Sequence, residues 1–137
     1  MRLVLDRDPA LLLVRSYDRT GVQVGQERLT RSFLLTRERL LREWPPRELA
    51  AVDDAAIATL LECAPKIVLL GLVASSPLAP GPLRRRFTAR GIALEALELG
   101  AACRTYNVLA QENRAVVLGV LLAGAGSAPE EDTGRKD

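Results

Sequence analysis

The chain has no histidine. That absence excludes zinc sites with imidazole ligands, Ser-His-Asp and Cys-His catalysis, and metal-assisted hydrolysis of the HExxH type. Cysteine is nearly as scarce. The two that exist, Cys63 and Cys103, are 40 residues apart with no CxxC partner and are too few for an all-thiolate zinc site. Two well-separated cysteines in a small chain read as reduced, buried packing thiols. Long apolar runs are missing too. The longest, 67–74 and 115–126, fall short of the roughly 20 residues that span a bilayer. The first residues, Met1-Arg2-Leu3-Val4-Leu5-Asp6, carry an early acid and do not read as a signal peptide or a mitochondrial-type presequence. No GxGxxG and no Walker A spacing occurs, so nucleotide binding by those routes has no support. The expectation is a cytoplasmic protein with no metal and no cofactor, and the balance favours a binding protein over an enzyme.

What remains is a chain of 137 residues, 48% hydrophobic and 26% charged, enough for one domain with a modest core. The cations are 17 Arg and only 2 Lys, which with 25 Leu and 19 Ala reads as coding bias rather than a binding signature. Charge is uneven. Residues 1–90 hold 15 basic and 10 acidic groups (+5), and residues 91–137 hold 4 and 7 (−3). This permits an anionic partner for the first part but falls short of a nucleic-acid domain.

The N-terminal part predicts antiparallel hairpins. Residues 11–17 read as a strand, Asp18-Arg19-Thr20-Gly21 as a turn, and Val22 and Val24 as one face of a second strand. Gly25 opens another turn, and 26–36 reads as one extended piece with Leu29, Phe33 and Leu35 inward. Residues 36–44 fit a helix or a short strand, ended by Pro45-Pro46. The signals then sharpen. Asp53 is a good N-cap for a helix over 54–63, with Val52 and Ile57 at hydrophobic-staple spacing. Residues 66–70 form a continuous apolar strand, of the kind buried in the centre of a sheet. A Pro-, Ser- and Gly-rich connection at 75–82 leads to a helix from Pro82 through Arg90 with Leu83 and Phe87 inward. Gly91 suits the left-handed C′ position. A strand at 92–97, a helix at 101–111 ended by Asn113, and a strand at 115–122 complete the order. Right-handed crossovers would bring the three later strands together. The composition after Gly124 predicts a flexible acidic and polar tail, so residues 1–123 form the domain and 124–137 the tail.

The densest polar set is Gly100-Ala101-Ala102-Cys103-Arg104-Thr105-Tyr106-Asn107. It falls where a strand hands over to a helix, and open α/β sheets bind ligands at that end of their strands. Free N–H groups of the first turn could hold an anion, and Arg104 could grip phosphate or carboxylate. The helix dipole would lower the Cys103 thiol pKa, making it a weak candidate nucleophile, though no histidine exists to serve it as base. The plainer reading makes Cys103 a packing thiol, Tyr106 a core aromatic with a satisfied hydroxyl, Asn107 a cap or member of a buried network, and Arg104 half of an ion pair. The one basic cluster is Arg84-Arg85-Arg86 with Arg90. On a helix with Leu83 and Phe87 inward, Arg84 and Arg85 should face water. Protein or RNA contact is the alternative, without the interleaved aromatics that single-strand binders use.

The run Ala101-Ala102-Cys103-Arg104-Thr105-Tyr106-Asn107, followed by Glu112-Asn113-Arg114, resembles domain-of-unknown-function family 498 over roughly residues 10–123. The stretches from Pro65 to Gly71 and around Gly91-Ile92 are also similar to it. The resemblance implies a compact α/β domain with a mixed central sheet, about three helices and a folded-over hairpin, on the border with α+β. The family's eukaryotic members include the mitochondrial complex I assembly factor 3, which implies a non-enzymatic interaction or assembly role with an unidentified protein partner or with itself. Three positions depart from the family pattern: Leu99 for Thr, Gly71-Leu72-Val73 for Gly-Thr-Gly, and Asn113 for Gly.

Overall fold

A computed structural model describes residues 11–73 and 79–124. The expected tail after Gly124 lies outside those residues, as does the first half of the connection at 75–82. Within them eight strands and three helices follow one another: β1 (Val14–Asp18), β2 (Gly21–Val24), β3 (Glu27–Leu29), β4 (Phe33–Leu35), β5 (Leu40–Leu41), α1 (Asp54–Glu62), β6 (Ile67–Leu72), α2 (Gly81–Thr88), β7 (Ala93–Glu98), α3 (Leu99–Gln111) and β8 (Val116–Leu121). A 3-10 turn at Leu49–Ala51 precedes α1. The strands make two sheets: β1-β2-β3, all antiparallel, and a mixed five-stranded sheet ordered β5-β4-β8-β6-β7. In the larger sheet β8, β6 and β7 are parallel, and β4 runs antiparallel to β8.

The period-2 rule for strands explains the two cores. Phe33 and Leu35 of β4, Leu69 of β6 and Leu118 and Val120 of β8 point to one face of the large sheet. There they meet Ala102, Tyr106 and Ala110 of α3 and Val14, Val22, Val24 and Leu29 of the small sheet. Leu34, Val68, Leu70, Val117 and Leu121 point the other way, against α1, α2 and Trp44. The small sheet and α3 therefore cover one face, and α1 and α2 the other. Gly119 sits at the crowded middle of the second core. A Cβ there would come within 3.0 Å of Leu70 and 3.1 Å of Trp44, so the position is kept empty by packing.

Several local expectations hold. Asp53 accepts from the Ala56 N–H at 2.9 Å, and Val52 and Ile57 share the second core. Gly91 and Asn113 both adopt the left-handed conformation that ends a helix. β6 is central, between β8 and β7. The ambiguous stretch 36–44 is a hairpin: the Thr36 N–H donates to the Arg39 carbonyl at 2.9 Å and leads into β5.

One expectation about the strands fails. Residues 26–36 are not a single extended piece but β3 and β4, in different sheets. The break is at Ser32, which is buried. Its hydroxyl donates to the Leu122 carbonyl at 3.2 Å and accepts from the Leu122 N–H at 2.9 Å. This side-chain clasp ties the chain to the end of β8 before β4 starts.

Candidate functional site

The parallel strands β6 and β7 send their connections to opposite faces of the sheet, β6 toward α2 and β7 into α3. Their carboxyl ends form the switch point at which ligands bind in open α/β sheets. The polar set 100–107 begins there. How each of its residues is used decides what the site can do.

The helix begins earlier than the spacing predicts, at Leu99, and its cap is Glu98. The Glu98 carboxylate accepts from the Gly100 N–H at 2.9 Å and the Ala101 N–H at 3.0 Å. These are donors of the first turn that an anion would have needed. The chain supplies its own anion, and those bonds hold the Glu98 carboxyl below the usual carboxylate range. Gly100 is inside the helix, not before it. A Cβ at Gly100 would lie 2.7 Å from the Tyr17 hydroxyl and 3.0 Å from Arg104 Nη1. Its missing side chain leaves room for the Tyr17 ring and the Arg104 guanidinium to lie across the start of α3.

Arg104 donates from Nη1 to the Tyr17 hydroxyl at 2.5 Å. Cys103, one residue earlier, is only 1% exposed. The dipole argument predicts a lowered thiol pKa. Burial wins instead, helped by the nearby Glu98 charge, and pushes it up to about 12 against a smaller opposing pull from Arg104. Tyr106 is fully buried, and its hydroxyl donates to the Leu12 carbonyl at 2.8 Å. Burial also raises its pKa, so it stays a neutral donor. Asn107 makes a pair of bonds with one residue of β1: Oδ1 accepts from the Val14 N–H at 2.9 Å, and Nδ2 donates to the Val14 carbonyl at 2.8 Å. The side-chain amide acts as one more strand residue along β1. Thr105 is half-buried beside them.

Arg104, Tyr106 and Asn107 thus reach the same segment, Leu12 to Tyr17, from successive turns of α3. Together they clasp the small sheet to the helix. Glu98 and Tyr17 belong to this set, and the local sequence does not mark them. Glutamate is not among the favoured N-cap residues, and Tyr17 lies 87 residues from Arg104.

The basic helix is also partly spent. Arg84 is half-buried rather than wholly facing water as predicted. Its Nη1 donates to the Leu94 carbonyl of β7 at 2.6 Å. Arg86 pairs with Asp54 at 2.7 Å, while Arg85 and Arg90 are exposed.

Three hollows lie away from the polar set 100–107. One, about 420 Å³, opens at the amino ends of β6 and β8, between the β4–β5 turn, the end of α1 and residues 113–117. A second, about 380 Å³, is bounded by Arg31, Arg42, Trp44 and Arg47 and by residues 122–124. A third, about 300 Å³, lies between the 3-10 turn and α2. None of the three is lined by a residue of 100–107. Among the described residues there is no group of His, Cys, Asp and Glu that could hold a metal ion, and no helix long and apolar enough to cross a membrane.

Comparison with known proteins places this architecture. No curated protein matches the chain. Solved structures do. XCC1710 of Xanthomonas campestris is 29% identical, with a TM-score of 0.78 over 95% of this chain and 100% of its own. A Bordetella parapertussis protein is 29% identical, with a TM-score of 0.73 over 85% and 99%. A Bordetella pertussis protein described as a Mth938-like domain has the same fold at 23% identity, with a TM-score of 0.75 over 96% and 100%. The family profile for proteins of unknown function DUF498/DUF598 matches residues 14–121, from the first residue of β1 to the last of β8. The chain is a member of the DUF498/DUF598 family.

Proposed function

We propose that this protein is a non-catalytic interaction domain, of the assembly-factor kind found among the family's eukaryotic members. One observation carries the reading: the side chains that looked most like chemistry are committed to the fold. Cys103 is buried with its thiol pKa pushed up to about 12, and Glu98, Arg104, Tyr106 and Asn107 each bond inside the chain. The anion-binding reading is weakened because Glu98 already holds two N–H groups of the α3 first turn. The RNA reading is weakened because Arg84 and Arg86 have internal partners.

The test is recovery of the protein at native abundance with a partner near one-to-one, from wild type and from Cys103→Ala alike. Repeated recovery of the protein alone would overturn the proposal. So would loss of a measurable activity on Cys103→Ala with the fold intact.

A further inference from the structure

Among the described residues the large sheet ends on β7, with no strand on its outer edge. The Ala93 N–H donates to the Lys66 carbonyl, which fixes the phase of the parallel ladder. Ala93, Glu95 and Leu97 turn their backbone groups to β6, and Leu94, Ala96 and Glu98 turn theirs outward. Of those outward groups, the Leu94 carbonyl bonds to the Arg84 guanidinium and the Glu98 carbonyl, at the cap of α3, accepts the first bond of that helix; the Leu94, Ala96 and Glu98 N–H groups and the Ala96 carbonyl have no partner among the described residues. Every other edge is short or occupied: β5 has two residues, β3 has three, and β1 is held at Val14 by Asn107. Proteins normally blunt a long regular edge with proline, a bulge or an inward charge. The six residues of β7 contain no proline, bulge or inward charge; their charges are the exposed Glu95 and Glu98.

We propose that two copies of this chain pair antiparallel through β7, about a two-fold axis at Ala96, joining their five-stranded sheets into one. The edge is self-complementary in that register. Each Ala96 N–H donates to the other copy's Ala96 carbonyl. Each Glu98 N–H reaches Leu94 of the partner subunit, whose carbonyl has a second lone pair beside its bond to Arg84. Arg84 then lies next to Glu98 of the partner subunit, so opposite charges meet at both ends. Glu95 falls opposite Leu97 of the partner subunit; no like charges are directly opposed, and the two Glu95 carboxylates lie only diagonally across the axis, exposed to solvent. The small Ala96 at the axis lets the backbones approach.

Two experiments test the pairing. In the wild-type protein, the Ala96 amide faces away from β6 and is protected only in the pair. Its hydrogen exchange should slow as concentration rises from on the order of 10 µM to 1 mM, a range suited to a small, weak interface, while light scattering moves toward twice the chain mass. A single-chain mass with concentration-independent exchange at Ala96 would overturn the proposal. The second experiment tests the register. Leu97→Lys and Leu97→Glu lose the same half-buried side chain, but one sets a lysine and the other a glutamate against Glu95 of the partner subunit. Association should be at least about threefold tighter for Leu97→Lys, from the usual size of cross-strand charge pairs. Equal association of the two would contradict the register. If neither variant folds, the wild-type exchange series decides.

Discussion

The two faces of the large sheet are closed by different means. On the α1 and α2 side the core is almost wholly apolar: Ile57, Leu60, Leu83 and Phe87 close over Leu34, Val68, Leu70 and Val117. A polar side-chain bond in that core joins Trp44 Nε1 to the Ala56 carbonyl at 3.2 Å. The α3 side must cover both a helix and a second sheet. Packing there is supplemented by polar clasps: Asn107 to Val14, Tyr106 to Leu12, Ser32 to Leu122, and Arg37 Nε to the Ala110 carbonyl at 3.0 Å. Helices that lie on a sheet satisfy their own backbones. The start of β1, at the edge of its sheet, does not, and side chains of α3 meet its exposed groups. A cluster of Arg, Tyr and Asn on a helix can therefore be the signature of a strand seam rather than of a reaction.

The contrast can be broken from either side. On the apolar face, volume matters most. Phe87→Ala should lower unfolding free energy in urea by about 3–5 kcal/mol, the usual cost of emptying a buried aromatic site. On the clasped face, polarity alone should matter. Asn107→Leu keeps most of the volume but strands the part-buried N–H and carbonyl of Val14, and should cost about 2–4 kcal/mol in the same experiment. Gly100→Ala should cost about 1 kcal/mol in the wild type, because its Cβ meets the Tyr17 hydroxyl, and much less in a Tyr17→Ala background. A cost that is independent of Tyr17 would remove the close-approach argument.

The smallest effect concerns acid. Glu98 is held below its ordinary pKa by the two N–H groups it accepts from. Its contribution is therefore complete above the unfolded-state value of about 4.3 and is lost as pH falls through the lower folded-state value. Thermal melts should show a shallower loss of Tm with acid for Glu98→Gln than for wild type over that window. Parallel curves would mean that the carboxylate does not cap α3.

The elements legible in the sequence are those with local causes. Asp53, Gly91 and Asn113 announce helix ends because capping is decided within one turn. β6 and β8 are visible as apolar runs because both their faces are covered. The division of 26–36 into two sheets is not legible, since Thr30-Arg31-Ser32 carries no glycine or proline and Ser32 bonds to a residue 90 positions away. The polar cluster at a strand-to-helix junction can be located from sequence, but its use cannot be read there. Asn107, Tyr106 and Arg104 all bond to residues 87 to 94 positions away. The Cys103 thiol defeats a local reading for a related reason. A helix starting at 101 would put it in the first turn and argue for a lower pKa; the observed start at Leu99 moves it beyond that turn, and burial, which only the fold reveals, pushes the pKa up.

The central claim is that α3 holds the small sheet through these side chains. Residue-resolved hydrogen exchange on Asn107→Leu tests it most directly. The account predicts that amide protection in β1, β2 and β3 falls sharply while β6 and β8 keep theirs, because the clasp is lost and the parallel core is not. Unchanged protection at Val14, Val22 and Val24, or an equal fall in both sheets, would contradict it.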